Sequence, residues 1–600
     1  MTTTTAKPRF VIRTVDPQHV ATLQEQGLSP GMAHILAGRG IETAESLVYD
    51  LRKVIPVSKL TNSGEMAKHL ADKIEAGHKF LLVADYDSDG ATSCAIGMRA
   101  MRAFGADIDF MVPNRFVHGY GLTPEIVQEV VAKAKAEGTK QPDCILTVDN
   151  GVASVAGVAE ANLNGIKVLV TDHHLAGETL PDAECIVNPN QPGCDFPSKN
   201  LAGCGVIFYC MLALKKELTD RKWFDTHPQF NMMELMDYVA LGTVADVVKL
   251  DDNNRRLVSV GLDRMRKGLA HPGIKALMDV AGCKIEEANS AHMGFNVGPR
   301  LNAAGRLDDM SIGISCLLAD NDEDAHRLAQ QLDALNRERR SIESDMTEQA
   351  VVQIDSMEFD PQEKYSMVLF HPDWHQGVIG ILASRIKDKT NRPAIVFGRG
   401  TNGELKGSCR SIPGLHMRDA LHEVYKQNTG LIKKFGGHAM AAGLTIMEKD
   451  LDVFTVEFEE AVRMLIPKEA LELVIHTDGP LNPEHMSMEL AKEIQSQVWG
   501  QGFMEPVFQG EFEVIRQRQV GKDLGHAKLT LGLNGSKFDA IFFHQKDPLP
   551  ETIVATYSLN INDYNNTQKV DLRIHRYQDM ATPVLVNKTD FSKGPQGLDM

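Results

Sequence analysis

Between residues 79 and 190, short runs of aliphatic and β-branched residues alternate with longer stretches whose apolar positions recur every three or four residues. The runs Lys79–Ala84 (KFLLVA), Asp107–Val112 (DIDFMV), Asp143–Val148 (DCILTV) and Lys167–Thr171 (KVLVT) predict strands. Ser93–Phe104, Pro124–Glu137 and Val152–Asn162 predict the helices between them. Alternation at this spacing predicts a parallel sheet covered on both faces by helices. Further on, Leu328, Leu332, Leu335, Ile342 and Met346 recur at helical spacing almost without Gly or Pro. One long amphipathic helix from about Asp322 to Ile354 follows, with Asp320 and Glu323 expected at its start as a capping box. Ser366–Phe370, Ala394–Phe397 and Leu405–Arg410 read as strands, with helices near Gln376–Lys387 and Met417–Tyr425. They predict a second, smaller α/β domain, which the long helix joins to the first across a cleft. After about Glu505 come five β-rich segments, Phe508–Arg516, Ala527–Leu533, Phe538–Phe543, Ile553–Leu559 and Lys569–Ile574, separated by Gly, Asn and Asp turns. That pattern predicts a small barrel of the OB type.

Six hundred residues exceed what one core accommodates, in keeping with several domains. Hydrophobic residues at 43% and charged residues at 24% fit a water-soluble protein. The first residues, MTTTTAKPRF, lack the apolar core of a secretory signal, and no run of about 18 apolar residues predicts a membrane span. Nine cysteines without a C-x-x-C pair suit reduced thiols, so a cytoplasmic location is expected. The net charge of −17 runs against a simple nucleic-acid binder. It loses that force where the acidic residues themselves hold cations, and 63 Lys and Arg remain to line a channel.

Three predicted strands end in groups able to carry chemistry: Asp85-Tyr86-Asp87-Ser88-Asp89-Gly90, Asp149-Asn150-Gly151 and Asp172-His173-His174. Open α/β sheets bind ligands at the carboxyl ends of their strands, so the three endings can converge. Alternating carboxylates suit hard divalent cations. An EF-hand loop would also begin in this way, but Ile96 stands where its Glu is needed and a strand precedes it. Asp149 taken alone could cap a helix. Adjacent histidines at a strand end are better explained as ligands, with a neighbouring carboxylate orienting them. Asp246, set among apolar residues in ALGTVADVV, needs a cation or a donor to offset burial. Together these groups predict a two-metal site flanking a phosphate. Arg300 and Arg306, with Asn302, offer forked donors suited to phosphate oxygens.

In this order, DYDSDGATS, TVDNG, TDHH, ALGTVADVV and GPRLNAAGR closely resemble the DHH phosphoesterase superfamily, and within it the branch that degrades single-stranded DNA. GSCRS and FGGHAMAAG resemble the DHH-associated domain. The resemblance implies that Asp85, Asp87, Asp149, His173 and Asp246 bind two Mn²⁺ or Mg²⁺ ions, with Asp149 as the bridge. His174 would face the scissile phosphate, Asp172 would hold the histidines, and Asp89 belongs to the same motif. Arg115, Ser408, Arg410 and Ser411 match the pocket for the strand's phosphates, including the 5′ terminal one, and Gly436-Gly437-His438 matches a turn where phosphate approaches bare backbone. Small departures, Ser88 for Ala, Ala176 for Pro and Asn566 for Gly, touch no expected ligand. Of the barrel aromatics Phe508, Phe542, Phe543, Tyr557 and Tyr564, most are expected in the core, with one or two free to stack on bases.

The expected architecture is α/β: a parallel-sheet DHH domain, a long helix, a smaller α/β DHH-associated domain and a C-terminal OB barrel. The boundaries are 1–60 (N-terminal helical region), 61–320, 321–357, 358–470, 471–585 and 586–600 (flexible tail). The implied activity is metal-dependent 5′ to 3′ removal of mononucleotides from single-stranded DNA, in recombinational and mismatch repair, by a monomer served by a helicase and a single-strand-binding protein. The alternative is a phosphodiesterase of the same superfamily acting on short oligonucleotides or cyclic dinucleotides, which would need neither the N-terminal region nor the barrel. Other signals lead elsewhere. Gly398-x-Gly400-x-x-Gly403 precedes a strand and reads as a hairpin turn rather than a dinucleotide loop. Cys185, Cys194, Cys204 and Cys210 lack zinc spacing, and so do His371 and His375. No Walker A sequence is present.

Overall fold

The computed structural model describes residues 8–357, 363–521, 524–564 and 567–579, with the side chains of 563–567 excepted. It falls into two compact units. The larger comprises Ala44–Leu471 with Gln497–Glu505. The smaller comprises the N-terminal segment up to Thr43, Glu472–Ser496 and the chain from Pro506 onward.

The larger unit opens with five parallel strands: β1 (Lys79–Ala84), β2 (Asp107–Met111), β3 (Cys144–Val148), β4 (Lys167–Thr171) and β5 (Cys185–Val187). Their order is β2-β1-β3-β4-β5. The order reverses beside β1, so the carboxyl ends of β1 and β3 flank the crevice where doubly wound sheets bind ligands. Helices Pro124–Glu137 and Val155–Leu163 cover one face through a core that includes Val83, Ile126, Val127, Ile145, Val158, Val168 and Val170. Helices Ser88–Ala103 and Gly203–Asp220 cover the other, where Gly97 leaves room for Leu82 and Ile207.

The long helix runs from Asp322 to Ser356, and Leu332 and Met346 lie on its buried stripe as expected. Leu328, Leu335 and Ile342 flank that stripe half-buried, and its middle is polar: Asn336, Arg339 and Glu343. Glu343 takes Arg339 one turn away on the same helix and Arg385 of the helix Ile379–Thr390, pairings that apolar periodicity could not reveal. The expected capping box is not formed. Asn321 caps the helix by accepting from the Asp324 amide at 2.9 Å, while Asp320 pairs with Arg99 at 3.0 Å.

The second α/β domain holds a mixed sheet of β6 (Met367–Phe370), β7 (Ala394–Arg399), β8 (Glu404–Arg410), β9 (Lys434–Gly437) and β10 (Ala441–Met447), in the order β9-β10-β8-β7-β6. Residues 400–403 are the hairpin turn between β7 and β8. All nine cysteines are free thiols.

In the smaller unit, five strands from Phe508 to Asp579 close into a barrel. Phe508, Phe542 and Tyr557 are buried in it, whereas Phe543 is exposed with the Arg573 guanidinium 5.2 Å above its ring. The Tyr564 side chain and Asn566 lie outside the described residues. Contacts divide the chain elsewhere than at residue 60. Residues 17–25 and 30–37 are helical, but strand Arg9–Ile12 pairs in parallel with Val474–Thr477, which ties this segment to the barrel's unit. The junction is held by Asp478, whose carboxylate takes both forks of Arg39 (2.6 and 3.1 Å) and the Val507 amide (3.0 Å). Arg39 and Asp478 are both buried, so removing the acid strands a buried cation. Asp478→Ala is therefore expected to destabilise this unit by about 3–5 kcal/mol, read as a lowered urea midpoint followed by circular dichroism.

Candidate active site

The loop after β1 is shaped by its own carboxylates. Asp87 caps helix Ser88–Ala103, its Oδ1 accepting from the amides of Asp89 (2.9 Å) and Gly90 (3.1 Å). Negative charge at a helix start is stabilised by the aligned peptide dipoles. The Asp85 carboxylate accepts from the next amide, Tyr86, at 2.8 Å. Asp149 follows β3 with φ +61°, a left-handed conformation unusual for a residue with a side chain. It lies against Gly203, where an added β-carbon would come within 2.6 Å of the carboxylate. Asp172 follows β4 and organises the histidine pair. Its Oδ1 accepts from the amides of His173 (2.7 Å) and His174 (3.1 Å) and from His174 Nδ1 (2.8 Å), and its Oδ2 from the Val152 amide (2.9 Å). Asp246 arrives from another layer, at the C-terminal end of helix Met236–Ala245.

These groups meet. His173 Nε2 lies 3.1 Å from Asp149 Oδ1, 3.6 Å from Asp246 Oδ2 and 3.9 Å from Asp89 Oδ2. Asp85, Asp87 and Asp149 form one grouping that could hold a cation; Asp149, His173 and His174 form a second; Asp89, His173 and Asp246 a third. Asp149 belongs to two of them, as a bridging ligand would. Two buried atoms, Asp149 Oδ1 and His173 Nε2, have no hydrogen-bond partner although they face one another. Ligands at right angles around an ion at about 2.1 Å lie roughly 3 Å apart, so this separation suits a Mg²⁺-sized cation. Asp89 differs from its neighbours: its two oxygens already accept from the amides of Gly203 (2.6 Å) and Cys204 (3.0 Å), fixing the start of helix Gly203–Asp220.

Protonation follows the crowding. Burial, and then the neighbouring carboxylates, push Asp85, Asp149 and Asp246 well above the usual carboxylate range. Burial and Asp87 push Asp89 up to about 6. Burial and the charge of His174 push His173 down to about 4, leaving it a neutral imidazole able to ligate. Burial opposes the charging of His174, but the Asp172 hydrogen bond and the surrounding carboxylates prevail and raise it to about 9. Burial would lift Asp172, and the same bond to His174 holds it down.

A cationic pocket adjoins this acidic centre. Burial, then the guanidiniums of Arg115, Arg410 and Arg339, push Arg306 down to about 10, with Asp87 pulling the other way. Arg115 stacks on Tyr86 at 4.5 Å. Arg410 donates to the Oγ atoms of Ser384 and Ser408, each at 3.1 Å. Gly380, near the start of helix Ile379–Thr390, leaves space for Arg410 and Ser408, each 3.0 Å from where its β-carbon would be. His438, following Gly436 and Gly437 on β9, stacks with His174 at 6.4 Å.

Three expected phosphate contacts are placed differently. Arg300 is buried, donating to Asp333 (3.0 and 2.9 Å) and to the Asn296 carbonyl (2.7 Å), so its fork is spent on the long helix. Asn302 Oδ1 accepts from the Ser88 amide (2.8 Å) and hydroxyl (2.9 Å), pinning the carboxylate loop. Ser411 is buried and donates to the Leu415 carbonyl at 2.8 Å. Motif position alone could not separate Arg300 and Asn302 from Arg306, because adjacent turns of the short helix Gly298–Leu307 face different partners. Missed altogether were Asn188 and Asn190, which donate to the carbonyls of His174 (2.8 Å) and His173 (2.6 Å), and Tyr120 beside His174. Their signal was the polar turn Asn188-Pro189-Asn190 and the Gly-Tyr-Gly run at 119–121.

Three family models match the chain: the DHH family N-terminal domain over residues 79–243, the DHHA1 domain over 363–464 and the RecJ OB domain over 477–576. The single-stranded-DNA-specific exonuclease RecJ of Salmonella typhimurium is 44% identical over 559 residues, spanning 91% of this chain and 95% of its own length. The crystal structure of RecJ from Thermus thermophilus with Mn²⁺ matches with a TM-score of 0.79 at 27% identity, covering 95% of this chain and 79% of that one. The Mg²⁺ complex of the same protein matches with a TM-score of 0.74 at 26% identity, covering 95% and 78%.

The crowded carboxyls hold protons more tightly folded than unfolded. Their contribution to metal-free stability is therefore full below about pH 4 and is lost as the pH rises through about 6, the value for Asp89. In EDTA the melting temperature is expected to fall between pH 5 and 8, and Mn²⁺ should restore it most at the upper end. Asp149→Asn should raise the metal-free melting temperature, on the order of 2–4 °C, while shrinking the Mn²⁺ response. A melting temperature indifferent to both pH and Mn²⁺ would contradict this account.

Proposed function

The chain belongs to the RecJ family of single-stranded-DNA-specific exonucleases, and we infer that it removes 5′-mononucleotides one at a time from the 5′ end of single-stranded DNA, using Mn²⁺ or Mg²⁺. The observation that carries this reading is the pair of unpartnered buried atoms, Asp149 Oδ1 and His173 Nε2, at the centre of a carboxylate cluster bordered by arginines. Asp85, Asp87, Asp149, His173 and Asp246 are proposed to hold the ions, with Asp149 shared. Divalent cations in such a site activate water and neutralise charge building on the phosphate. His174, oriented through Nδ1 by Asp172, is left with Nε2 to donate to a phosphate oxygen. Asp89 acts by fixing the helix start beside Asp149, and Asn302 by fixing Ser88.

Polarity is supported by the guanidinium group around Arg306. Arg115, Arg306 and Arg410, with Ser408 and the backbone around Gly436, Gly437 and His438, offer a terminal phosphomonoester more positive charge than an internal diester can use. A strand in this place would set its first phosphodiester beside Asp149 and His174. The domain plan proposed is a catalytic DHH domain, the long helix, the DHH-associated domain and the OB domain, with Phe543 as a surface on which a base could stack. Because the substrate must be single-stranded, a helicase and a single-strand-binding protein are the proposed partners, in recombinational and mismatch repair. A monomer in the cytoplasm fits this role. Among the described residues, no helix is long and apolar enough to cross a membrane.

The test compares a long 5′-phosphorylated single strand, the same strand in duplex and a dinucleotide, each with Mn²⁺. Steady release of 5′-mononucleotides from the first alone is expected, and preference for the dinucleotide would favour a short-oligonucleotide phosphodiesterase. Asp149→Ala and His174→Ala should each lower turnover by at least about 10²-fold with circular dichroism unchanged. Wild-type rates in either variant would remove the proposed site.

A further inference from the structure

Tyr120 reaches the reacting corner from a loop that supplies none of the proposed metal ligands. It stands between Gly119 (φ 78°) and Gly121 (φ 72°), both in the left-handed conformation glycine adopts without strain. The turn is packed: a β-carbon on Gly121 would lie 3.0 Å from Ser154 Oγ. The loop therefore returns the phenol to the mouth of the acidic centre. Tyr120 Oη lies 3.2 Å from each ring nitrogen of His174 and 3.4 Å from the Asp149 carbonyl oxygen. With Nδ1 of His174 bonded to Asp172 at 2.8 Å, these equal distances set the hydroxyl against the ring between its two nitrogens, off the line of either N–H. The Tyr120 ring meets His174 edge-on at 5.7 Å and Tyr86 edge-on at 6.1 Å, and Tyr86 in turn carries Arg115. A continuous aromatic wall thus runs from the arginine pocket to His174, while Tyr120 itself stays 45% exposed to whatever enters.

We propose that Tyr120 is a positioning residue for the hydrolysis: its hydroxyl, directed to the Asp149 carbonyl, bears on the His174 ring and fixes the imidazole in the orientation in which Nε2 meets the scissile phosphate. An imidazole tethered at Nδ1 alone can still tilt about that hydrogen bond, and a second contact against the ring removes the tilt. Misplacement of a reacting group by a fraction of an ångström costs rate rather than binding. This inference rests on the exonuclease reading above.

The test is Tyr120→Phe in the full-length protein with Mn²⁺ and a 5′-phosphorylated single strand. The expected result is a fall in kcat of about 10-fold, the value of one ordinary hydrogen bond. KM should stay within about twofold, with melting temperature and calorimetric Mn²⁺ affinity unchanged. Tyr120→Ala should lose at least as much in kcat. Wild-type kcat in Tyr120→Phe would overturn the proposal, and so would a loss confined to KM or matched by a loss of Mn²⁺ affinity. Turnover by the wild-type chain in the same assay separates failure of this role from failure of the exonuclease reading.

Discussion

Repulsion among buried carboxylates is the constraint from which the rest follows. Asp85, Asp149 and Asp89 are almost fully buried, and Asp246 lies at the C-terminal end of a buried helix nearby. Uncompensated, such a cluster would protonate or unfold its surroundings, because a buried charge without a counter-charge costs several kcal/mol. A pair of divalent cations converts that liability into a binding site. The ring atom His173 Nε2, kept neutral by burial and by its charged neighbour, completes the donor set without adding a competing proton.

Holding such a cluster together requires that its members also serve the fold. Asp87 caps the helix that follows it, Asp89 caps a second helix, and Asp172 gathers three amides as well as an imidazole. Each carboxylate is thereby oriented by peptide groups that cannot move independently of the sheet. Gly203 contributes by absence, since any side chain there would enter the space of Asp149. The left-handed backbone of Asp149 is a local cost paid at the functional centre, where strained residues gather.

The net charge of −17 coexists with a pocket for anions because the two signs are sorted in space. Arginines from the first α/β domain, the long helix and the second α/β domain surround Arg306, close enough to one another to disfavour their own charge. Glu343 restrains Arg339 of that group and also takes Arg385. A polyanionic strand is the natural partner of such a group, while the neighbouring acidic centre accepts it only through metal ions. Two opposite fields are thus set side by side.

Much of this was legible along the chain. Strand–helix alternation, acidic strand ends and an adjacent histidine pair determined a parallel sheet with a metal centre at its carboxyl edge, because side-chain period and ligand chemistry are local properties. Asp85, Asp87, Asp149, His173 and Asp246 needed only the topology to be brought together. Tertiary structure alone decided which arginines face the cleft: Arg300 and Arg306 sit in one motif, yet Asp333 claims the first while the second stays among guanidiniums. It likewise decided that Asn302 serves Ser88, that the long helix is polar at its middle, and that the N-terminal strand pairs beside the barrel. These outcomes depend on partners hundreds of residues away, and a hydrogen bond between distant segments leaves no periodic trace in either of them.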